Sequence, residues 1–203
     1  MKQSIKQSKY LVIVVSSLVI AATTLYYGSS AQGGALKHHT SRWAWLEKNG
    51  GTYWYVPADN LQAIQWDVEA PSAYTSIDDQ TIWHIERFDN GYFFGPAVVK
   101  FAGYPRLCQY LIGSITPGGR VYISFNALQI LPFGSPSITT GTGDMVKQRG
   151  AWTFNMQMAS GNASTQVAHW AFMRQCSPDQ QCWNDLPGTE QSIPELLAQC
   201  GHS

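Results

Sequence analysis

Residues 81–101, TIWHIERFDNGYFFGPAVVKF, decide the fold, because they read as two β-strands folded back on each other about Asn90-Gly91. Asn-Gly is the preferred pair for a type I′ turn, in which both central residues need φ > 0. Pairing Phe88 with Phe93 across that turn sets Glu86 opposite Gly95 and His84 opposite Ala97. Side-chain alternation then puts Ile82, His84, Glu86 and Phe88 on one face, with Trp83, Ile85 and Arg87 on the other. Neither face is a plain solvent side, so the hairpin is expected to be covered on both.

Two more hairpins lie downstream. In 108–126, CQYLIGSITPGGRVYISFN, Pro117 sets φ and Gly119 accepts φ > 0, as in a type I turn with a G1 bulge. With Thr116 opposite Arg120, the residues Leu111, Gly113 and Ile115 face Phe125, Ile123 and Val121, while Ser114 and Tyr122 lie on the reverse. Residues 150–174 alternate most regularly: Trp152, Phe154, Met156 and Met158 share one face, and Thr153, Asn155 and Gln157 the other. A turn at Gly161-Asn162-Ala163 pairs Met158 with Gln166 and sets His169 opposite Asn155 on the polar face. Strands at 52–56 and 61–68 precede the first hairpin. Residues 70–80 read as a loop, and the Pro/Gly/Ser/Thr-rich 128–143 as an irregular crossover or binding loop. Ser192-Ile193-Pro194-Glu195 has the spacing of a capping box and opens a short helix through Gln199.

Three hairpins and two preceding strands make an all-β domain of about eight antiparallel strands in a meander. Closure into a calycin-like barrel removes both unpaired edges, and a two-sheet sandwich is the alternative. Gly150-Ala151-Trp152 matches the Gly-x-Trp that opens the first strand of lipocalins. Here the triplet lies late in the chain, so only the architecture resembles a calycin barrel, and no family follows from it.

Residues 1–31 read as a signal peptide or an N-terminal anchor. Lys2, Lys6 and Lys9 precede an apolar run, and Ser29-Ser30-Ala31 offers small residues for cleavage. Residues 10–27 carry no charge and are just long enough to span a bilayer uncleaved. Either way the remainder is expected to be exported, to a periplasmic or secreted location. Residues 32–50 read as a spacer, and 51–203 as a single β domain with a disulfide-tied C-terminal tail. Removing 1–31 takes away three lysines and leaves ten basic against thirteen acidic residues. No basic run exists to neutralise phosphates, which excludes a nucleic-acid surface.

The four cysteines, Cys108, Cys176, Cys182 and Cys200, suit disulfides in an oxidising compartment, with three possible connectivities. The short polar loop between Cys176 and Cys182 favours that bridge, which leaves Cys108 with Cys200. No Cys-x-x-Cys is present, and neither a metal nor a cofactor is expected. A set of His84, His169 and Glu86, extended by His38 and His39 in the spacer, would be weak grounds for one.

The candidate ligand-binding residues are His84, Glu86, Trp83, Asn155, His169 and Tyr122. A carboxylate and an imidazole facing small residues in an apolar cavity have tunable pKa values and can hydrogen-bond a ligand. The competing reading is that each simply satisfies a neighbouring polar group. The leading functional expectation is an exported barrel that binds a small apolar or saccharide ligand non-catalytically, between aromatic walls. One alternative is an accessory subunit of a cell-envelope complex, held through residues 10–27. A second is an enzyme using Glu86 and His84 for acid-base chemistry.

Overall fold

Among the described residues, ten strands form one continuous antiparallel sheet that closes as an eight-stranded barrel. The computed structural model describes residues 41–70, 72–127, 138–162 and 164–201. The strands are β1 (Thr52–Tyr55), β2 (Gln62–Asp67), β3 (Tyr74–Ile85), β4 (Arg87–Asp89), β5 (Tyr92–Phe101), β6 (Leu107–Ile115), β7 (Arg120–Ala127), β8 (Ile138–Gln148), β9 (Ala151–Gly161) and β10 (Thr165–Cys176). Two staves are each made of two strands. One is β1 with β2, lying between β3 and β10; the other is β3 with β4, lying beside β5.

The break between β1 and β2 is an insertion. Tyr53 pairs with Cys176 and Ala63 with His169, so ten steps on this stave match seven on β10. The extra residues coil into a 3-10 turn, Ala58–Asn60. Gln80 seals the gap: its side chain accepts from Val56 N at 2.9 Å and donates to the Val56 and Pro187 carbonyls, both at 2.8 Å.

The break between β3 and β4 is a bulge. Asn90 (φ 51°) and Gly91 (φ 89°) form the expected left-handed pair, and Phe88 faces Phe93. Beyond Glu86 the pairing slips by one, so that Trp83 rather than His84 faces Ala97. At the slip the His84 carbonyl oxygen occupies the space of a side chain at residue 95, which only glycine allows. The extra residue reverses the faces expected from simple alternation. Trp83, Ile85 and Phe88 join the core cluster, and His84 and Glu86 stand on the outer wall.

The hairpin of β6 and β7 has the expected register, with Ile115 facing Val121 and Leu111 facing Phe125. The hairpin of β9 and β10 differs by three: Met158 faces His169, not Gln166. Asn162 explains the difference. Its side-chain oxygen accepts from the backbone N–H of Ser164 and Thr165, both at 2.9 Å, which holds a longer turn and lets β9 run on to Gly161. An odd shift flips β10, so His169 points inward while Asn155 stays outside.

Two segments expected to be irregular are strand. Residues 74–80 lengthen β3, and 138–148 form β8 between β7 and β9. Ten residues of the expected irregular segment, 128–137, lie outside the described residues. The total of eight staves therefore stands, but β8 supplies one of them and β1 merges with β2.

Residues Ser41–Gly50, expected to be spacer, instead plug one end of the barrel as a kinked 3-10 segment. Trp43 and Leu46 are fully buried there. Trp43 Nε1 donates to Thr116 O at 3.0 Å, Arg42 donates to Pro117 O at 2.9 Å, and Glu47 accepts from Phe88 N at 2.8 Å. At the C-terminus, α1 (Gln181–Asn184) precedes α2 (Ile193–Ala198), which opens with the expected capping box of Ser192 and Glu195. Ile193, Leu196 and Leu197 pack over Ile82 and Val98 on the barrel's outer wall, forming a second, smaller apolar cluster. The disulfides are Cys108–Cys200 and Cys176–Cys182, a pairing compatible with an oxidising compartment. No helix among the described residues is long and apolar enough to cross a membrane; residues 10–27, like His38 and His39, lie outside the described residues.

Candidate functional site: a cavity at the end away from Trp43

The inner wall is apolar because every second residue of each strand faces inward, and these positions carry Trp, Phe, Met, Val and Ile. Phe154 lies at the centre, in ring contact with Trp54, Trp83 and Phe93 at 4.5, 5.4 and 5.8 Å between centroids. These side chains fill the barrel from the plug to about the level of Trp83. Beyond Trp83, toward the end away from the plug, a cavity of about 30 Å³ remains, walled by Trp83, Phe101, Leu107, Met158 and Met173.

Polar groups meet this wall from four staves. Asp79 and Thr81 come from β3, His169 from β10, and Thr139 and Ser160 from β8 and β9. Asp79 and Thr81 share the inward face with Trp83 at alternate positions, and all three are buried. Thr81 Oγ1 donates to Asp79 Oδ1 at 2.9 Å, and Thr139 and Ser160 hydroxyls lie 2.9 Å apart. His169 is held at both ring nitrogens: Nδ1 is 2.9 Å from Asp79 Oδ2, and Nε2 donates to Asn60 O at 2.7 Å. Both partners are acceptors, so with Asp79 ionised the ring carries both protons. Burial, the largest influence on His169, lowers its pKa. The hydrogen bond and charge of Asp79, with the Asn60 carbonyl, outweigh burial and hold the pKa above the usual histidine value.

No family model, curated protein or solved structure matches this chain. The chemistry of the cavity rests on its own atoms.

Of the six residues singled out from sequence, the barrel brings Trp83 and His169 together at the cavity. The other four lie elsewhere. His84 stacks on Tyr53 at 4.0 Å between ring centroids, donates through Nε2 to Gly50 O at 3.0 Å, and has Nδ1 3.4 Å from Glu86 Oε1. Burial, and secondarily the charge of Glu86, raise the pKa of Tyr53 in that cluster. Asn155 is on the outer wall, accepting from Trp170 Nε1 at 2.8 Å. Tyr122 is exposed on β7. His84, Glu86 and His169 therefore do not share one site, and no group of three metal-ligating side chains occurs among the described residues.

Sequence reasoning missed Asp79 and Gln109. The signal for Asp79 was its alternation with Thr81 and Trp83, hidden when 70–80 is read as a loop. Gln109 occupies an inward position between Leu107 and Leu111, where a lone amide in an apolar period is the signal.

Proposed function

We propose that this domain binds a small apolar ligand non-catalytically, in an exported compartment, through the barrel end opposite the plug. The observation that carries this reading is the asymmetry of the two ends. Among the described residues, one is closed by Trp43 and Leu46, while the other keeps a cavity at which Trp83 and the Asp79–Thr81–His169 cluster converge. Apolar walls with a few placed polar groups are the usual make-up of a small-molecule site, and two disulfides support export. The test is a library of apolar and saccharide compounds, read by thermal unfolding and tryptophan fluorescence of the purified protein. A raised midpoint with a saturable fluorescence change is the expected result, and a flat response across the library overturns the reading.

A second reading, an accessory subunit of an envelope complex, is favoured by one specific surface. Tyr92, Phe94, Tyr110, Ile112 and Tyr122 are 37–60% exposed. They lie on the outer face of β5, β6 and β7, where Phe94 pairs with Ile112 and both Tyr92 and Tyr122 pair with Ser114. Contiguous apolar exposure of this kind marks interaction surfaces. Gentle membrane extraction followed by sizing decides it: a solitary monomer counts against a subunit.

A further inference from the structure

Three polar atoms inside the barrel have no hydrogen-bond partner among the described residues: Trp83 Nε1, Gln109 Nε2 and Gln109 Oε1. Both side chains are fully buried, at 0% exposure. The strand register puts them in one row, because Trp83 faces Ala97 and Ala97 faces Gln109. Trp83 is a wall of the cavity, and so is Leu107, the next inward-facing residue to Gln109. A buried donor or acceptor without a partner carries its desolvation cost uncompensated, and folded proteins leave few of them. The three atoms belong to two side chains in one row, Trp83 lining the cavity itself and Gln109 standing next to the lining residue Leu107.

The row presents two kinds of donor, the indole N–H and the amide NH₂, and one acceptor, the amide oxygen. A hydroxyl has the complementary set, two lone pairs and one O–H. A carboxylate lacks the donor that Gln109 Oε1 needs, an ammonium lacks acceptors, and a hydrocarbon satisfies none of the three atoms. We propose that the cavity receives the terminal hydroxyl of an unbranched apolar alcohol, bound by Trp83 Nε1–H and the Gln109 carboxamide, with its chain running past Leu107 and Phe101. The inference rests on the ligand-binding reading above and names the ligand class. A volume of about 30 Å³ suits a water-sized head group and little more. The chain finds room through Met158 and Met173, whose unbranched side chains re-pack readily.

The experiment titrates the full chain with 1-hexanol, n-hexane and hexanoate, read by tryptophan fluorescence and by the indole N–H resonance that disappears in Trp83→Phe. Saturable binding of 1-hexanol at least about tenfold tighter than n-hexane, the size expected of a single net hydrogen bond and so the least the three contacts should give, with a shift of that resonance, supports the proposal. Gln109→Leu, which keeps the side-chain volume without its polar atoms, is expected to erase the preference for alcohol while still binding n-hexane. Equal affinity for 1-hexanol and n-hexane, or tighter binding of hexanoate, overturns the hydroxyl and leaves the ligand reading standing. If none of the three binds but a library compound does, the alcohol class alone falls. If nothing binds, the cavity holds water only and both fall.

Discussion

His169 and Asp79, ninety residues apart in the chain, meet inside the barrel with Nδ1 2.9 Å from Oδ2. The same imidazole holds the Asn60 carbonyl, so the pair joins β3, β10 and the 3-10 turn that interrupts the first stave. Gln80 fastens that interruption from the outer side and His169 from the inner side.

The pH dependence of stability follows from the raised pKa of His169. A group whose pKa is higher in the folded than in the unfolded state stabilises fully below the unfolded value, about 6.5, and the gain is lost as pH rises through the folded value. Urea unfolding with the disulfides intact is expected to give lower stability at pH 9 than at pH 6, with the slope reduced in Asp79→Asn. Removing one partner of a buried pair costs about 3–5 kcal/mol, so Asp79→Asn should also be the less stable chain at pH 6. Identical slopes in the two chains would show that the pair does not hold the proton.

Gly95→Ala tests the bulge. The new methyl would overlap the His84 carbonyl oxygen, which is backbone and cannot swing aside. Loss of about 1–3 kcal/mol or more is expected, measured as a lower denaturation midpoint. A neutral result would mean that β3 and β4 run without the slip.

Trp43→Ala tests the plug. Trp43 is fully buried against Trp152 at 5.0 Å and donates to Thr116 O. A loss of about 3–5 kcal/mol is expected, as for other large aromatic truncations. A loss below about 1 kcal/mol would return residues 41–50 to the spacer of 32–50 expected from the sequence.

The two disulfides should differ in weight. Cys108–Cys200 closes a separation of 92 residues and Cys176–Cys182 one of 6. On the chain-entropy account their removal costs about 4–5 and about 2 kcal/mol respectively. Paired Cys→Ser variants compared by thermal unfolding give the order, and the reverse order would locate the stabilisation in the local loop around α1.

What the sequence disclosed depended on how local each determinant was. The hairpin of β6 and β7 was legible residue by residue, because Pro117 and Gly119 fix its turn chemistry. The first hairpin was legible only as far as the reach of Asn90-Gly91. The slip at Glu86 brings Trp83 and Ile85 inward to meet Phe154 and the plug, a demand set by distant packing. The third hairpin failed through one side chain, because Asn162 lengthened the turn and so reversed the face of His169. Strand β8 was hidden by its glycines, which read as turn residues although Gly141 and Gly143 stand against Met158 and Met156 in the core. At the candidate site, aromatic and histidine character marked Trp83 and His169. Asp79 and Gln109 needed the closed barrel before their neighbours could be known.

The pairing of β1 with β10 also governs the order of assembly. The hairpins of β6 with β7 and β9 with β10 join sequence neighbours and can form early, but the barrel shuts only when its first stave finds its last. Such non-local closure is slow, and until Cys176 reaches Tyr53 both margins of the sheet remain open to pairing with other chains. A chain ending before Thr165 would keep those margins permanently, so truncations there are expected to aggregate rather than fold into a smaller barrel.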